Sequence, residues 1–306
     1  MGQSRSRMST AGYIELADRG VLALRGADVR PFLQGLISND VGRIGAEQAA
    51  YAALLTPQGK FLFEFFVVQQ DDALLLETEL ARLAELQRRL LMYRLRSKVE
   101  IEDVSAGLVV AALVGEDIAE CLGLPARPGA CRALDGGLAF VDPRLVRMGA
   151  RALLPRPSAA AALAGLGLEE APRAAYERLR LGLGVPDGSR DLTVEKATLL
   201  ESGFEELNGV DFNKGCFVGQ ELTARMKYRG LVRKRLLPVT FVGAAPAPGA
   251  IIRLGEREAG EMRSSSDGHG LALLRLEQVA KARESGSPLV ADGIEILPAT
   301  PDWAKL

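Results

Sequence analysis

The segment with the clearest chemical potential is residues 214–221, which read KGCFVGQE. Its cysteine, Cys216, follows Lys214 by two residues and precedes a predicted helix over residues 218–228. A helix N-terminus and a nearby cation both stabilise a thiolate, the form of cysteine that attacks electrophiles, is oxidised or binds iron. The pattern therefore predicts a reactive Cys216, with a thiol simply buried in the core as the structural alternative.

Positive charge is concentrated in the same region. Residues 214–235 contain seven basic residues and one acidic residue, Glu221, a local sum of +6 in a chain whose formal net charge is -1. The basic residues are Lys214, Arg225, Lys227, Arg229, Arg233, Lys234 and Arg235. Such a local field favours an anionic ligand or an acidic partner surface, with a solvated helix face as the alternative. Nucleic acid is not the predicted ligand, because only Phe217 and Tyr228 offer rings for base stacking among these cations.

The rest of the composition excludes several familiar chemistries. The single histidine, His269, excludes a zinc site built on a histidine pair and leaves any hydrolytic triad dependent on one residue. The three cysteines, Cys121, Cys131 and Cys216, are an odd number without CxxC spacing, which argues against a disulfide framework and for a reducing compartment. Gly59-Lys60 is not the end of a phosphate-binding loop, because Phe61 replaces the required hydroxyl residue.

The elements that must position these residues are short strands followed by helices. Apolar runs at 51–55 and 61–68 flank the turn Thr56-Pro57-Gln58-Gly59 and predict a hairpin, and residues 79–94 have the spacing of an amphipathic helix. Strands and helices do not alternate regularly, which favours an α+β fold of ferredoxin-like units over a parallel sheet. After residue 231, short strands separated by Pro-Gly and Asp-Gly turns predict a small closed β-barrel or sandwich.

The predicted organisation has three parts. Residues 1–11 form a disordered tail, residues 12–235 an α+β module, and residues 236–306 a C-terminal β-barrel. Within the module we expect two interleaved ferredoxin-like subdomains, at about 20–105 and 106–200, closed by the segment 208–235. No run approaches the roughly 20 apolar residues of a membrane span, and the start lacks a signal peptide. We expect a cytoplasmic protein if the source is bacterial, or a mitochondrial-matrix protein if it is eukaryotic.

Residues 214–221 resemble the signature Lys-Gly-Cys-aromatic-x-Gly-Gln-Glu of the YgfZ family. This family comprises GcvT-like, folate-binding-type relatives of the glycine-cleavage aminomethyltransferase that serve iron-sulfur protein maturation. The chain is most similar to its mitochondrial-type iron-sulfur cluster assembly factors and their bacterial counterparts, over about residues 20–300. Further matching segments are 26–28, 32–34, 38–41, 200–202, 208–210, 222–225 and 233–236.

The resemblance implies a fold and a function. The fold would be a GcvT-like cloverleaf of two ferredoxin-like subdomains plus a C-terminal antiparallel β-barrel. The function would be to act with an A-type scaffold protein in supplying [4Fe-4S] clusters to recipient enzymes, more as a non-enzymatic assembly factor than as a transferase. Cys216 would be the reacting residue, and a transient cluster would be shared with the partner, because one thiolate cannot hold a cluster alone. We expect a monomer when the protein is alone, and neither nucleic acid nor membrane as a partner.

The resemblance also implies tetrahydrofolate as a cofactor and a set of site residues. Glycines 215 and 219 would allow close backbone approach, residues 220 and 221 would fix the helix start, and residues 214 and 225 would hold the thiolate or an anionic tail. The cofactor-binding residues expected on this basis are Lys214, Gly215, Phe217, Gly219, Gln220, Glu221, Arg225 and Arg180.

Two positions depart from the pattern of the folate enzymes. Phe63-Glu64 stands where the aminomethyltransferase carries paired aspartates, and a phenyl ring cannot accept a proton. This argues against the alternative function, a tetrahydrofolate-dependent aminomethyltransferase-like one-carbon enzyme, for which Glu64 would be the acidic candidate. Gly182 replaces the pterin-binding glutamate that follows Leu-Arg-Leu in those enzymes.

Overall fold

The structure, a computed structural model, describes residues 11–305, which divide into two compact units. The first contains residues 11–29, 43–50 and 66–176, and the second contains residues 30–42, 51–65 and 177–305. The strands are β1 (Gly12–Glu15), β2 (Arg19–Arg25), β3 (Ala50–Leu55), β4 (Phe61–Gln70), β5 (Ala73–Glu79), β6 (Glu100–Asp103), β7 (Leu108–Val114), β8 (Cys131–Leu134), β9 (Gly137–Val141), β10 (Ala150–Pro155), β11 (Glu169–Glu170), β12 (Lys234–Thr240), β13 (Ile251–Leu254), β14 (Arg257–Ser266), β15 (His269–Arg275), β16 (Leu289–Ala291) and β17 (Ile294–Pro298). The helices are α1 (Val29–Gln34), α2 (Leu83–Arg94), α3 (Ile118–Cys121), α4 (Ala159–Gly165), α5 (Arg173–Leu183), α6 (Gly188–Asp191), α7 (Gln220–Tyr228) and α8 (Leu276–Ser285).

The first unit is built on β-sheets covered by helices. One sheet has the strand order β11-β1-β7-β10-β9-β8, antiparallel except for the parallel pair β1 and β11. Residues 66–70 of β4 pair with β5, followed by β2 and β6, all antiparallel. Helix α2 packs on β2 and β6 through buried Leu83, Leu86 and Leu90. Leu80, which the periodicity assigns to the same apolar face, is 42% exposed because α2 begins only at residue 83. Leu91 lies within α2 and is 39% exposed.

The second unit contains the predicted hairpin and the predicted barrel. The β3–β4 turn is closed by the Gly59 amide, which donates to the Thr56 carbonyl at 2.8 Å, and Gly59 has a φ of +76°. The barrel has the closed order β12-β15-β14-β13-β16-β17, so each strand has a neighbour on both sides. Leu237, Ile252 and Leu274 are among the fully buried residues that fill it.

These observations confirm the predicted α+β class with a C-terminal antiparallel barrel. The predicted domain boundaries stay a prediction, and the predicted tail lies outside the described residues except for Ala11. Within the part of the chain that the structure describes, no helix has both the length and the apolar character that a membrane crossing requires.

Candidate functional site

Cys216 lies at an exposed position in the loop that leads into α7 and forms no disulfide. Helix α7 begins at Gln220, two residues later than the sequence predicts, because Gly219 adopts a left-handed conformation with a φ of +82°. Cys216 therefore stands four residues before the helix, beyond the first turn over which a helix dipole acts strongly. Cys216 therefore lies farther from the N-terminus of α7 than the sequence predicts.

Lys214 is bound to backbone rather than directed at a ligand. Its Nζ donates to the carbonyl oxygens of Gln34 at 2.7 Å and Ile37 at 2.6 Å, which engages two of its three N–H groups. Burial lowers the pKa of Lys214 to about 8, against the opposing effect of the Asp40 and Asp211 carboxylates. Lys214 therefore fastens the loop to residues 34–37, and its expected role in holding the thiolate or an anionic tail stays a prediction.

The two glycines of the signature have different roles. An alanine Cβ at Gly219 would lie 2.5 Å from the Thr56 carbonyl oxygen and 3.0 Å from the Gly59 Cα, so the predicted close backbone approach occurs here. Gly215 has a φ of +93°, and a Cβ at this position would meet nothing within 4 Å. Gly215 is thus required by its own backbone conformation and not by a neighbouring surface.

The remaining signature residues form the start of α7. The Gln220 side-chain oxygen accepts the Phe217 amide at 3.3 Å, and the Phe217 ring is buried, so Gln220 shapes the helix start as predicted. Glu221 does not share this role, because its carboxylate lies 3.6 Å from Arg225 and its side chain is 89% exposed. An ion pair this exposed contributes little stability, which leaves both side chains accessible to a partner.

The positive charge of residues 214–235 is partly neutralised in the fold. Lys227 contacts Glu205 at 2.6 Å, and buried Arg235 pairs with Glu206. The exposed Arg229 and Arg233 and the half-buried Lys234 have no acidic group at ion-pair distance among the described residues. The positive charge that has no acidic partner in the fold is therefore smaller than the +6 counted from the sequence. It is carried by the C-terminal part of the segment.

Arg180 is engaged within the protein, and its expected cofactor-binding role stays a prediction. Its side chain is fully buried, and all five of its N–H groups have acceptors within the protein. Nε and Nη2 donate to Glu177, Nη1 to Asp191 and the Val185 carbonyl, and Nη2 also to Ser264. The two guanidinium groups of Arg180 and Arg190 hold the pKa of Glu177 at about 2 despite its burial.

Three residues at positions that the folate enzymes use offer no free hydrogen-bonding side chain to a pterin ring. Gly182 is exposed, and no atom lies within 4 Å of the position its Cβ would take. Arg180 has no donor left for a ligand, and Phe63 is 1% exposed within β4. Tetrahydrofolate binding stays a prediction that these three residues do not support.

Among the described residues, no cluster of side chains accompanies Cys216, the predicted iron ligand. The described residues contain no group of three or more His, Cys, Asp or Glu side chains that could hold a metal ion. Cys121 is exposed, with its Sγ 3.3 Å from the Leu166 carbonyl oxygen, and burial raises the pKa of Cys131 to about 11. Additional ligands for iron at Cys216 must come from another molecule.

Gln34 is a site residue that the sequence does not predict. Its Nε2 donates to the Lys214 carbonyl and to the Asp40 carboxylate, both at 3.0 Å, and its Oε1 accepts the Val41 amide at 2.8 Å. The available signal is that residues 32–34 match the family pattern. Their distance of 180 residues from the signature gives no reason to connect the two.

Several known proteins are similar to this chain in sequence. It is 34% identical to the human "Iron-sulfur cluster assembly factor IBA57, mitochondrial", covering 94% of this chain and 84% of that protein. The mouse protein of the same name is 35% identical with the same coverage, and a Neurospora crassa homologue is 31% identical over 77% of this chain.

The barrel and the whole fold have their own matches. Residues 233–306 match the model described as "CAF17, C-terminal beta-barrel domain". The crystal structure of aminomethyltransferase T of the glycine cleavage system from Bartonella henselae superposes with a TM-score of 0.75 at 15% identity, covering 97% of this chain and 87% of that one. This superposition shows a GcvT-like fold and confirms the predicted fold class. With a third of its residues identical across most of both sequences, the chain belongs to the IBA57/YgfZ-type family of iron-sulfur cluster assembly factors.

Proposed function

We propose that this protein matures iron-sulfur proteins by providing one cluster ligand, the Cys216 thiolate, while an A-type scaffold protein provides the others. The cluster is the cargo, and the final recipients are [4Fe-4S] enzymes. The observation that carries the proposal is the exposure of Cys216 in the signature loop of a chain that belongs to this family. The names of the relatives describe mitochondrial proteins, which supports the matrix alternative for the location of this work.

The chemistry at Cys216 is a ligand exchange at iron. The Cys216 thiol loses its proton to solvent, its sulfur forms a bond to an iron of the partner's cluster, and the thiolate that it displaces leaves and takes up a proton. No electron is transferred in this step. Because the described residues contain no group of side chains that could hold a metal ion, the exchange requires the partner to retain the remaining bonds.

The C-terminal part of the basic segment, at the end of α7 and just beyond it, suits an acidic partner. The exposed Arg229 and Arg233 lie at the end of α7 and just beyond it, and Tyr228 is 74% exposed. Exposed arginines beside an exposed aromatic ring are typical of protein interfaces. The positive charge would also accelerate encounter with an acidic scaffold and would make that encounter sensitive to salt.

The test is complementation of cells that lack the endogenous factor, with the activity of a [4Fe-4S] enzyme such as aconitase as the measurement. Wild type should restore activity and Cys216→Ser should not, because a hydroxyl is a poor ligand for iron. Cys121→Ser is the matched control, since Cys121 is also an exposed free cysteine. Equal rescue by Cys216→Ser would remove Cys216 from the mechanism, and failure of well-expressed wild type would contradict the whole proposal.

Tetrahydrofolate is not part of this proposal, because Arg180 and Gly182 do not offer the contacts that a pterin needs. The aminomethyltransferase alternative is not proposed either. Phe63 is buried where a proton acceptor is required, and Glu64, the acidic candidate, is 2% exposed within β4.

A further inference from the structure

The backbone on both sides of Cys216 is fastened to the same short segment, residues 34–37. On the N-terminal side, Lys214 donates through Nζ to the carbonyls of Gln34 and Ile37. On the C-terminal side, the Val218 amide donates to the Gly35 carbonyl at 3.1 Å. Cys216 is thus the midpoint of a five-residue loop whose two ends are held at one place.

Gln34 makes the attachment reciprocal. Its side-chain Nε2 donates to the Lys214 carbonyl at 3.0 Å, while its own carbonyl accepts from the Lys214 ammonium at 2.7 Å. Gln34 is itself held by the Val41 amide and the Asp40 carboxylate at 2.8 and 3.0 Å. Two side chains that each bind the backbone of the other restrict both segments more than a single hydrogen bond would.

Between these attachments, the loop has one side chain in the core and one in solvent. Phe217 is buried, with its ring centroid 5.3 Å from the Lys214 ammonium, whereas Cys216 is exposed. A buried neighbour on one side and the fixed Lys214 on the other restrict the direction in which the Cys216 side chain leaves the backbone.

We infer that Gln34 and Lys214 are positioning residues that hold the Cys216 thiol facing outward for a ligand shared with the partner. The inference rests on the proposed function of Cys216. A thiolate that must bind an iron held by another protein loses conformational entropy when the bond forms, and a loop fixed beforehand reduces that cost. Neither residue contacts the cluster, so the effect acts only through the orientation and mobility of Cys216.

The first measurement is the electron paramagnetic resonance spectrum of a nitroxide attached to Cys216 in a Cys121→Ser background, since Cys131 is buried. Gln34→Leu and Lys214→Met should shorten the rotational correlation time of the label by about threefold, because the loop gains motion on the nanosecond timescale. Lys214→Arg, which keeps a cationic donor, should restore most of the wild-type spectrum. Lys227→Met is the matched control, because it removes another half-buried ammonium of the same segment without touching the loop attachments.

The second measurement is the complementation assay with the same variants. Lys214→Met and Gln34→Leu should reduce recovery of the [4Fe-4S] enzyme on the order of tenfold, with Lys214→Arg near wild type. Unchanged label mobility in both variants would overturn the inference whatever the cells show. Increased mobility with full complementation, in an assay that Cys216→Ser fails, would also overturn it while leaving the proposed function intact. If wild type itself fails to complement, the proposed function and the inference that rests on it fall together.

Discussion

Two charged regions of the second unit, around Arg180 and around Lys214, both match family patterns but differ in what their cations contact. The Arg180 guanidinium is buried with carboxylates and has an acceptor for every N–H group. The Lys214 ammonium binds neutral carbonyl oxygens at the base of a loop whose central thiol is exposed. A buried cation whose N–H groups all have acceptors, such as Arg180, supports the fold. A cation that fixes an exposed loop, such as Lys214, leaves the Cys216 thiol of that loop accessible. Contacts, more than residue type, therefore separate structural charges from functional ones.

The largest effect is expected at Arg180. Arg180→Met leaves the buried carboxylates of Asp191 and Glu177 without their main counter-ion and should lower the free energy of unfolding by about 3–5 kcal/mol. Arg190→Met is the matched variant: it also contacts Glu177, but its side chain is 41% exposed, so it should cost about 1 kcal/mol. Urea unfolding of the two variants measures the difference. Similar losses for both would contradict the view that burial sets the importance of this network.

An intermediate effect is expected from the two glycines beside Cys216. Gly219→Ala should lower the free energy of unfolding by about 2 kcal/mol or more, because it combines a left-handed backbone with a clash against the Thr56 carbonyl. Gly215→Ala also places alanine at a positive φ but in free space, so about 1 kcal/mol is expected. Urea unfolding again measures both. Equal losses would mean that the close approach at Gly219 carries no cost and that only φ matters.

The parts of this picture that the sequence predicts are those encoded locally. The turn at residues 56–59 and the barrel strands follow from Pro, Gly and alternating apolar residues, and the signature loop follows from its residue types. The predicted start of α7 is two residues early, because helix periodicity does not reveal that Gly219 is left-handed.

Other features depend on partners that are distant in sequence. Gln34 and Lys214 are 180 residues apart, and Ser264 reaches Arg180 across 84 residues. Contacts within the fold give every N–H group of Arg180 an acceptor. They also bind the Lys214 ammonium to the carbonyl oxygens of residues 34 and 37. Residue type alone therefore predicts ligand-binding roles for two cations but does not predict the contacts that each makes within the protein.

The smallest expected effect is a pH dependence that belongs to the Arg180 region and not to the Lys214 loop. The pKa of Glu177 is lowered from 4.5 to about 2, so its ionised form stabilises the fold fully above pH 4.5, and this stability is lost as the pH falls through about 2. Between pH 5 and pH 4 the loss should be about 1 kcal/mol or less.

Urea unfolding of wild type and Glu177→Gln at pH 5, 4 and 3 isolates this contribution. Glutamine cannot ionise, so the variant should be less stable at pH 5 and should lose less stability on acidification than wild type. The sign follows from proton binding: the unfolded chain binds a proton at Glu177 at a higher pH than the folded chain, so this carboxylate makes acid favour unfolding. If the two proteins lose stability in parallel, the arginines around Glu177 do not lower its pKa, and the charge pairing around Arg180 is weaker than its contacts indicate.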